Sequence, residues 1–190
     1  MHLKKMDVQQ VADLYENHMI HDFPRSELKP LWAIKAYMEK GICTVQGLCR
    51  GEELLAYAIL LHNKDSGFQL LDYFASNRKQ RGKGYGSLLL ERLKKEDRAS
   101  QGYLIEVESV AGAKNQQERT QRIRRIAFYE KNGLRKTGIR AVVFGVEFEI
   151  LYLPLRGDEG DARLYEELKA LYVLMVGEER FGKHIAMELA

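Results

Sequence analysis

The stretch Arg81-Gly82-Lys83-Gly84-Tyr85-Gly86 has the residue types and spacing that point most directly to chemistry. Glycines at alternate positions let a backbone come close to a ligand, and two cations in the same loop favour an anion. An apolar run (Phe68, Leu70, Leu71, Tyr73, Phe74) precedes the loop, and a stretch with Leu88, Leu89 and Leu93 on one helical face follows it. Strand, glycine turn and helix start in that order make an anion site. The N–H groups of a helix's first turn, here through Ser87, have no partner inside the helix and point at the ligand. The P-loop string Gly-x-x-x-x-Gly-Lys-Ser/Thr occurs nowhere, and Gly82-x-Gly84-x-Gly86 lacks the Gly-x-Gly-x-x-Gly spacing of a dinucleotide site. A basic turn capping a surface helix is the plainer alternative.

A second set of candidates is acidic. Glu106 and Glu108 alternate with Ile105 and Val107, so both carboxylates point to one face of a strand. Buried without partners they would be costly. Either they line an open cleft, where one could take a proton through water, or they pair with arginines. Asp72 is a third candidate, better suited to a structural role. Arg119, Arg122, Arg124 and Arg125 form a basic helix face, read chiefly as a solvated surface balanced by Glu118 and Glu130. Phosphate contact is their alternative use.

These residues need elements to position them. Asp7 can cap a helix with Val8, Val11, Ala12 and Tyr15 at helical spacing. Ser26 or Pro30 opens a second helix that Gly41 ends. Ile42 to Leu48 and Leu54 to Leu61 read as a hairpin around Arg50-Gly51-Glu52, and a third strand runs from Phe68 to Ala75. After the glycine loop come a helix to about Arg98, a strand from Tyr103 to Glu108, and a helix from Asn115 to Lys131 closed by Asn132-Gly133. Leu134 to Thr137 and Val142 to Leu153 supply closing strands around Gly138 and Gly145, and Asp161 caps a last helix carrying Leu164, Leu168, Leu171, Tyr172 and Met175. The helix between 68–75 and 103–108 makes those strands parallel neighbours.

The pattern Arg81-x-x-Gly84-x-Gly86 resembles the pyrophosphate loop of the GNAT acetyltransferase superfamily, which binds acetyl-CoA. Further along, Arg125-Ile126-Ala127-Phe128-Tyr129-Glu130-Lys131-Asn132-Gly133-Leu134 is similar to that family's helix ending in Tyr-Glu-Lys-x-Gly-Phe, with Leu134 in place of the Phe. Arg122 stands where the family usually has Asn, so that residue's contacts are not carried over. The resemblance covers roughly 1–154 and implies an α/β (α+β) fold: a mixed, mostly antiparallel central sheet flanked by helices. Residues 155–190 would add a C-terminal helical extension packed on the same domain. The implied co-substrate is acetyl-CoA, with Arg81, Gly82, Lys83, Gly84, Tyr85, Gly86 and Ser87 around its pyrophosphate. The backbone of Phe74, Ala75 and Ser76 would meet the pantetheine arm and thioester carbonyl; Ser76 replaces the usual Val. Tyr129 would be the acid that protonates the departing thiolate, against the plainer view that it packs beside Ile123, Ile126 and Ala127.

The reaction so implied sets its own requirements. A lysine-like amine of pKa ~10.4 is almost fully protonated at neutral pH and must lose a proton before it attacks. Attack creates an oxyanion and collapse expels a thiolate, so the site needs a base, N–H donors and a weak acid. Glu106 and Glu108 are the candidates for the base. Cys43 and Cys49, the only cysteines, lie away from both motifs, which argues against a covalent enzyme intermediate. The expected activity is acetyl transfer to a primary amine, small-molecule or peptide, directly through a tetrahedral intermediate. A non-catalytic acyl-CoA-binding module and an RNA- or phosphate-binding module are the rivals.

Composition narrows the field further. The 190 residues carry 30 basic and 27 acidic side chains, a net charge of +3, too balanced for a protein that coats nucleic acid. No run approaches the ~18 apolar residues of a membrane helix, and the N-terminus turns polar too soon for a signal peptide. The two cysteines form no Cys-x-x-Cys pair and the five histidines no metal-ligand spacing, so no metal is expected. Both cysteines read as small apolar strand residues in a reducing cytoplasm. The tail after Arg156 could close the acceptor site, mediate a homodimer or cover the sheet.

Overall fold

Asp7, two residues past a short strand, β1 (His2–Lys5), caps the first helix, α1 (Val8–Leu14). Its side chain accepts the Gln10 N–H at 2.8 Å while the Gln10 side chain takes the Asp7 N–H at 3.2 Å, a reciprocal cap. The helical path continues through a wider π turn (Tyr15–Met19) into α2 (Ile20–Asp22). In this computed structural model residues 1–25 and 27–190 are described. Ser26, one of two candidates to open the second helix, lies outside them; Pro30 is the residue that precedes α3 (Leu31–Glu39).

Two compact units are formed, Met1–His62 with Leu71–Arg98, and Asn63–Leu70 with Ala99–Ala190. In the first, β2 (Cys43–Arg50) and β3 (Glu53–His62) make the expected hairpin, and β1 adds to β2 from His2↔Cys49 to Lys5↔Gln46. Leu55 to Leu61 are all at most 4% exposed, so β3 is covered on both faces and reads as an unbroken apolar run rather than an alternation. Cys43 and Cys49 are buried in β2 as free thiols. Then follow β4 (Phe68–Ser76), a 3-10 turn (Arg78–Gln80) and α4 (Tyr85–Glu96), which buries Leu89, Leu90 and Leu93.

The second unit is built on β5 (Gly102–Glu108). It pairs in parallel with β4 at Phe68↔Gly102, Gln69↔Tyr103 and Leu70↔Leu104. After α5 (Gln116–Lys131), the strands β6 (Arg135–Val143) and β7 (Val146–Pro154) form the closing hairpin. β7 lies antiparallel to β5 from Gly102↔Pro154 to Glu108↔Phe148. The tail contains the expected extra helix, α6 (Asp161–Val176), but Gly160 rather than Asp161 holds its cap position and no side chain caps it. A further helix not anticipated, α7 (Glu178–His184), and a strand, β8 (Ile185–Leu189), follow. The hydrogen-bonded order is β1-β2-β3-β4-β5-β7-β6-β8, mostly antiparallel.

Other features also depart from the sequence reading. β1 and β8 were not anticipated: each is only four or five residues long, and each becomes a strand by adding to an existing edge, as β8 does to β6 from Ile139↔Leu189 to Val143↔Ile185. The closing strands do not break at Gly138. β6 runs through it, with an irregular register between Lys136 and Arg140, and the glycine is a point of close approach. A Cβ there would lie 3.1 Å from the Ala190 carbonyl oxygen. The turn is Phe144-Gly145, with φ of 48° and 84°, a two-residue loop of the kind that suits a twisted hairpin.

Candidate functional site

The glycine loop is anchored before it opens. Asn77 follows β4 and is tied to β3 by its N–H to the Leu55 carbonyl and its side-chain amide to the Leu54 carbonyl, both 2.9 Å. Its side-chain oxygen accepts the Lys79 N–H at 3.1 Å and starts the 3-10 turn. From there the chain needs glycine. Gly82 and Gly84 take φ of 78° and 81°, and a Cβ built on either meets nothing within 4 Å. Their freedom serves backbone conformation and leaves the space above them open.

Gly84 precedes α4, and no side chain caps the helix there. The first bond within it runs from the Leu88 N–H to the Gly84 carbonyl at 3.1 Å. The N–H groups of Tyr85, Gly86 and Ser87 therefore precede the helical ladder, where the dipole's positive end favours an anion. Lys83 reaches Gln80 at 3.0 Å, while Arg50 donates to the Tyr85 hydroxyl and lies over its ring.

Sequence reasoning missed what holds Arg81. Asp22, at the end of α2 with a side chain 1% exposed, accepts from the Arg81 guanidinium at 2.8 Å and from the Tyr57 hydroxyl at 3.0 Å. Arg78 lies 3.8 Å away. No local signal marks Asp22, because its partners are distant in sequence. Asp72 pairs with Lys29 at 2.7 Å and is itself 4% exposed, the structural role expected of it. Phe74, Ala75 and Ser76 form the half-buried end of β4.

In the second unit the two strand carboxylates part company. Glu108 meets Arg122 at 2.6 Å and Arg125 at 3.5 Å, the arginine-paired outcome, and Arg122 also donates to the Ser109 carbonyl at 2.6 Å. Arg122, read as one of a solvated face, is drawn into this pair and is 12% exposed at its side chain. Glu106 instead accepts from the Tyr172 hydroxyl of α6 at 2.6 Å.

Tyr129 owes its placement to the way α5 ends. Leu134 N–H bonds to the Tyr129 carbonyl at 3.2 Å and Gly133 N–H to the Glu130 carbonyl at 3.0 Å, with Gly133 at φ 93°. This is a Schellman cap, with glycine at the left-handed position and an apolar residue, Leu134, next to it. Tyr-Glu-Lys-Asn-Gly-Leu is thus a helix-stop signal that fixes Tyr129 in the last turn. The side chain is 6% exposed and meets the Phe128 ring edge-on at 5.2 Å. Burial pushes its phenol up to about 12, with Arg125 opposing the shift, so the proton stays on throughout the neutral range.

A sequence profile described as the acetyltransferase (GNAT) family matches residues 8–134, well over half of the chain. The chain belongs to the GNAT acetyltransferase family. Solved GNAT structures share its fold. A GNAT-family protein from Bacteroides thetaiotaomicron superposes with a TM-score of 0.74 at 17% identity, covering 93% of this chain and 99% of its own. The ribosomal-protein-S18-alanine N-acetyltransferase of Escherichia coli gives 0.59 at 21% identity, covering 83% and 95%. The spermidine N-acetyltransferase of Vibrio cholerae, solved with CoA and spermine, gives 0.58 at 11% identity, covering 80% and 94%. No curated protein is matched significantly by sequence. In this GNAT chain both motifs lie on the elements expected of them, the glycine loop before α4 and the tyrosine in the last turn of α5.

Proposed function

We propose that this GNAT protein transfers an acetyl group from acetyl-CoA to a primary amine directly, without a covalent enzyme intermediate. The observation that carries the reading is the uncapped N-terminus of α4 behind two glycines of positive φ. Those residues fit a pyrophosphate: open space over Gly82 and Gly84, three N–H groups in the first turn, and Lys83 in the same loop. Bound acetyl-CoA would supply an activated acyl carbon as its thioester.

The remaining work belongs to the chain. The end of β4, Phe74 to Ser76, is the main chain proposed to meet the pantetheine arm. Glu106 takes the amine's proton, directly or through water, because Glu108 is already paired with two arginines. Tyr129 gives its proton to the departing sulfur as the C–S bond breaks, after the C–N bond has formed. Cys43 argues against a thioester on the protein: burial pushes its thiol up to about 12, which leaves almost no thiolate at neutral pH. Related folds named for spermidine and for a ribosomal-protein alanine support amines as the acceptor class.

The test is calorimetric titration with acetyl-CoA, followed by CoA release with spermidine, an aminoglycoside and an alanine-terminated peptide. Micromolar binding and amine-dependent release are expected. Binding without release from any amine would favour a non-catalytic acyl-CoA module, and absence of binding would remove both readings.

A further inference from the structure

We propose that α6, outside the part of the chain matched by the GNAT profile, supplies Tyr172 as a positioning residue for Glu106. The inference rests on the reading of Glu106 as the base and adds to the acetyltransferase a part that comes from its C-terminal extension.

Tyr172 belongs to the buried stripe of α6 with Leu164, Leu168 and Leu171, each at most 1% exposed. The stripe is otherwise aliphatic, and a Phe ring would fill the position equally well. Packing therefore accounts for the ring and leaves the hydroxyl to be explained. A buried hydroxyl needs a partner, and this one has a carboxylate oxygen at 2.6 Å, the length of a charge-assisted bond. Glu106 in turn is a half-buried carboxylate on a strand whose neighbouring residues Leu104, Ile105 and Val107 are at most 1% exposed. The bond holds its side chain in one orientation.

It also sets the proton affinity. An O–H donated to a carboxylate favours the charged form, so Tyr172 holds Glu106 ionised, and ready as a base, at lower pH than it would otherwise reach. Further titratable groups lie near Glu106 in the same unit. Tyr152 of β7 lies on the same sheet face, two positions along in register. Glu108 lies two residues on in β5, its charge met by Arg122 and Arg125 of α5.

Tyr172→Phe keeps the ring and removes the bond. With the amine of the panel that gives the fastest CoA release, the acid limb of kcat/KM for the amine should move up by about one pH unit and the plateau should fall about tenfold. KM for acetyl-CoA should stay within twofold. An unmoved limb with a plateau within twofold of the parent overturns the inference. Glu106→Gln tests the underlying reading separately, since it should abolish the acid limb and lower the plateau about 100-fold. If it does so while Tyr172→Phe changes nothing, Glu106 remains the base and only the tyrosine's role fails. If Glu106→Gln leaves the profile intact, both fall. The double variant should be no slower than Glu106→Gln alone. A 13C-NMR titration of the Glu106 carboxyl, which needs no acceptor, should show its midpoint raised in Tyr172→Phe; an unchanged midpoint counts against the bond's role.

Discussion

Gly84 sits at φ 81° in front of α4, a backbone state that a β-branched residue reaches only with strain. Gly84→Val should therefore cost about 1–2 kcal/mol of stability, leave the fold in place and abolish acetyl-CoA binding measured by calorimetry. Tyr129→Phe should lower turnover about 100-fold with little change in acetyl-CoA affinity; full activity would return the residue to the core. Its raised phenol has a second consequence. A tyrosine whose proton is held more tightly in the folded state contributes stability present below pH 10, and that stability is lost as pH rises towards about 12. Thermal unfolding should show a loss above pH 10 that is smaller in Tyr129→Phe. The same buried chemistry makes the two thiols inert, and native protein should resist alkylation at neutral pH until it is unfolded.

At the scale of elements, the joints are made by single side chains. Asp22 ties the end of α2 to Arg81 of the glycine loop and to Tyr57 within β3. Asp22→Ala would leave the Tyr57 hydroxyl, in a residue with no exposed surface, without that acceptor. The expected loss is about 1–3 kcal/mol by denaturant titration, together with weaker acetyl-CoA binding as the loop loses its tether. Much of the element pattern was legible beforehand, for reasons visible in the residues. Asp7, Asn115 and Gly133 act through local geometry, and the caps they form need nothing beyond the adjacent turn. The Asp22 and Glu106 contacts were not legible, and arginine pairing was only one of two alternatives for Glu108. Each partner comes from another element, and a carboxylate's sequence neighbours do not say which distant donor will reach it.

At the scale of the whole molecule, both chain ends become sheet edges, β1 on β2 and β8 on β6. β8 covers Ile139 and Ala141 of β6, which are at most 2% exposed, from Ile139↔Leu189 to Ala141↔Met187. Deleting residues 185–190 should expose that edge, lower the melting temperature and promote self-association seen by size-exclusion chromatography. Arg135, which reaches Asp158 at 2.8 Å and Asp161 at 2.7 Å, joins the start of β6 to the start of α6 in the same tail. Among the described residues, no helix is long and apolar enough to cross a membrane.

The sequence alone determined the strand–glycine loop–helix unit, the helix ending in Tyr129 and the family resemblance they carry. Those signals are local: positive-φ glycines, a Schellman stop and apolar periodicity act within a few residues of chain. The tertiary structure decided how each carboxylate is used. It gave Glu108 to two arginines, Asp22 to the glycine loop and Glu106 to a tyrosine of the C-terminal helix. A charge's role depends on what is brought against it across the fold, and that is settled by packing rather than by neighbours along the chain.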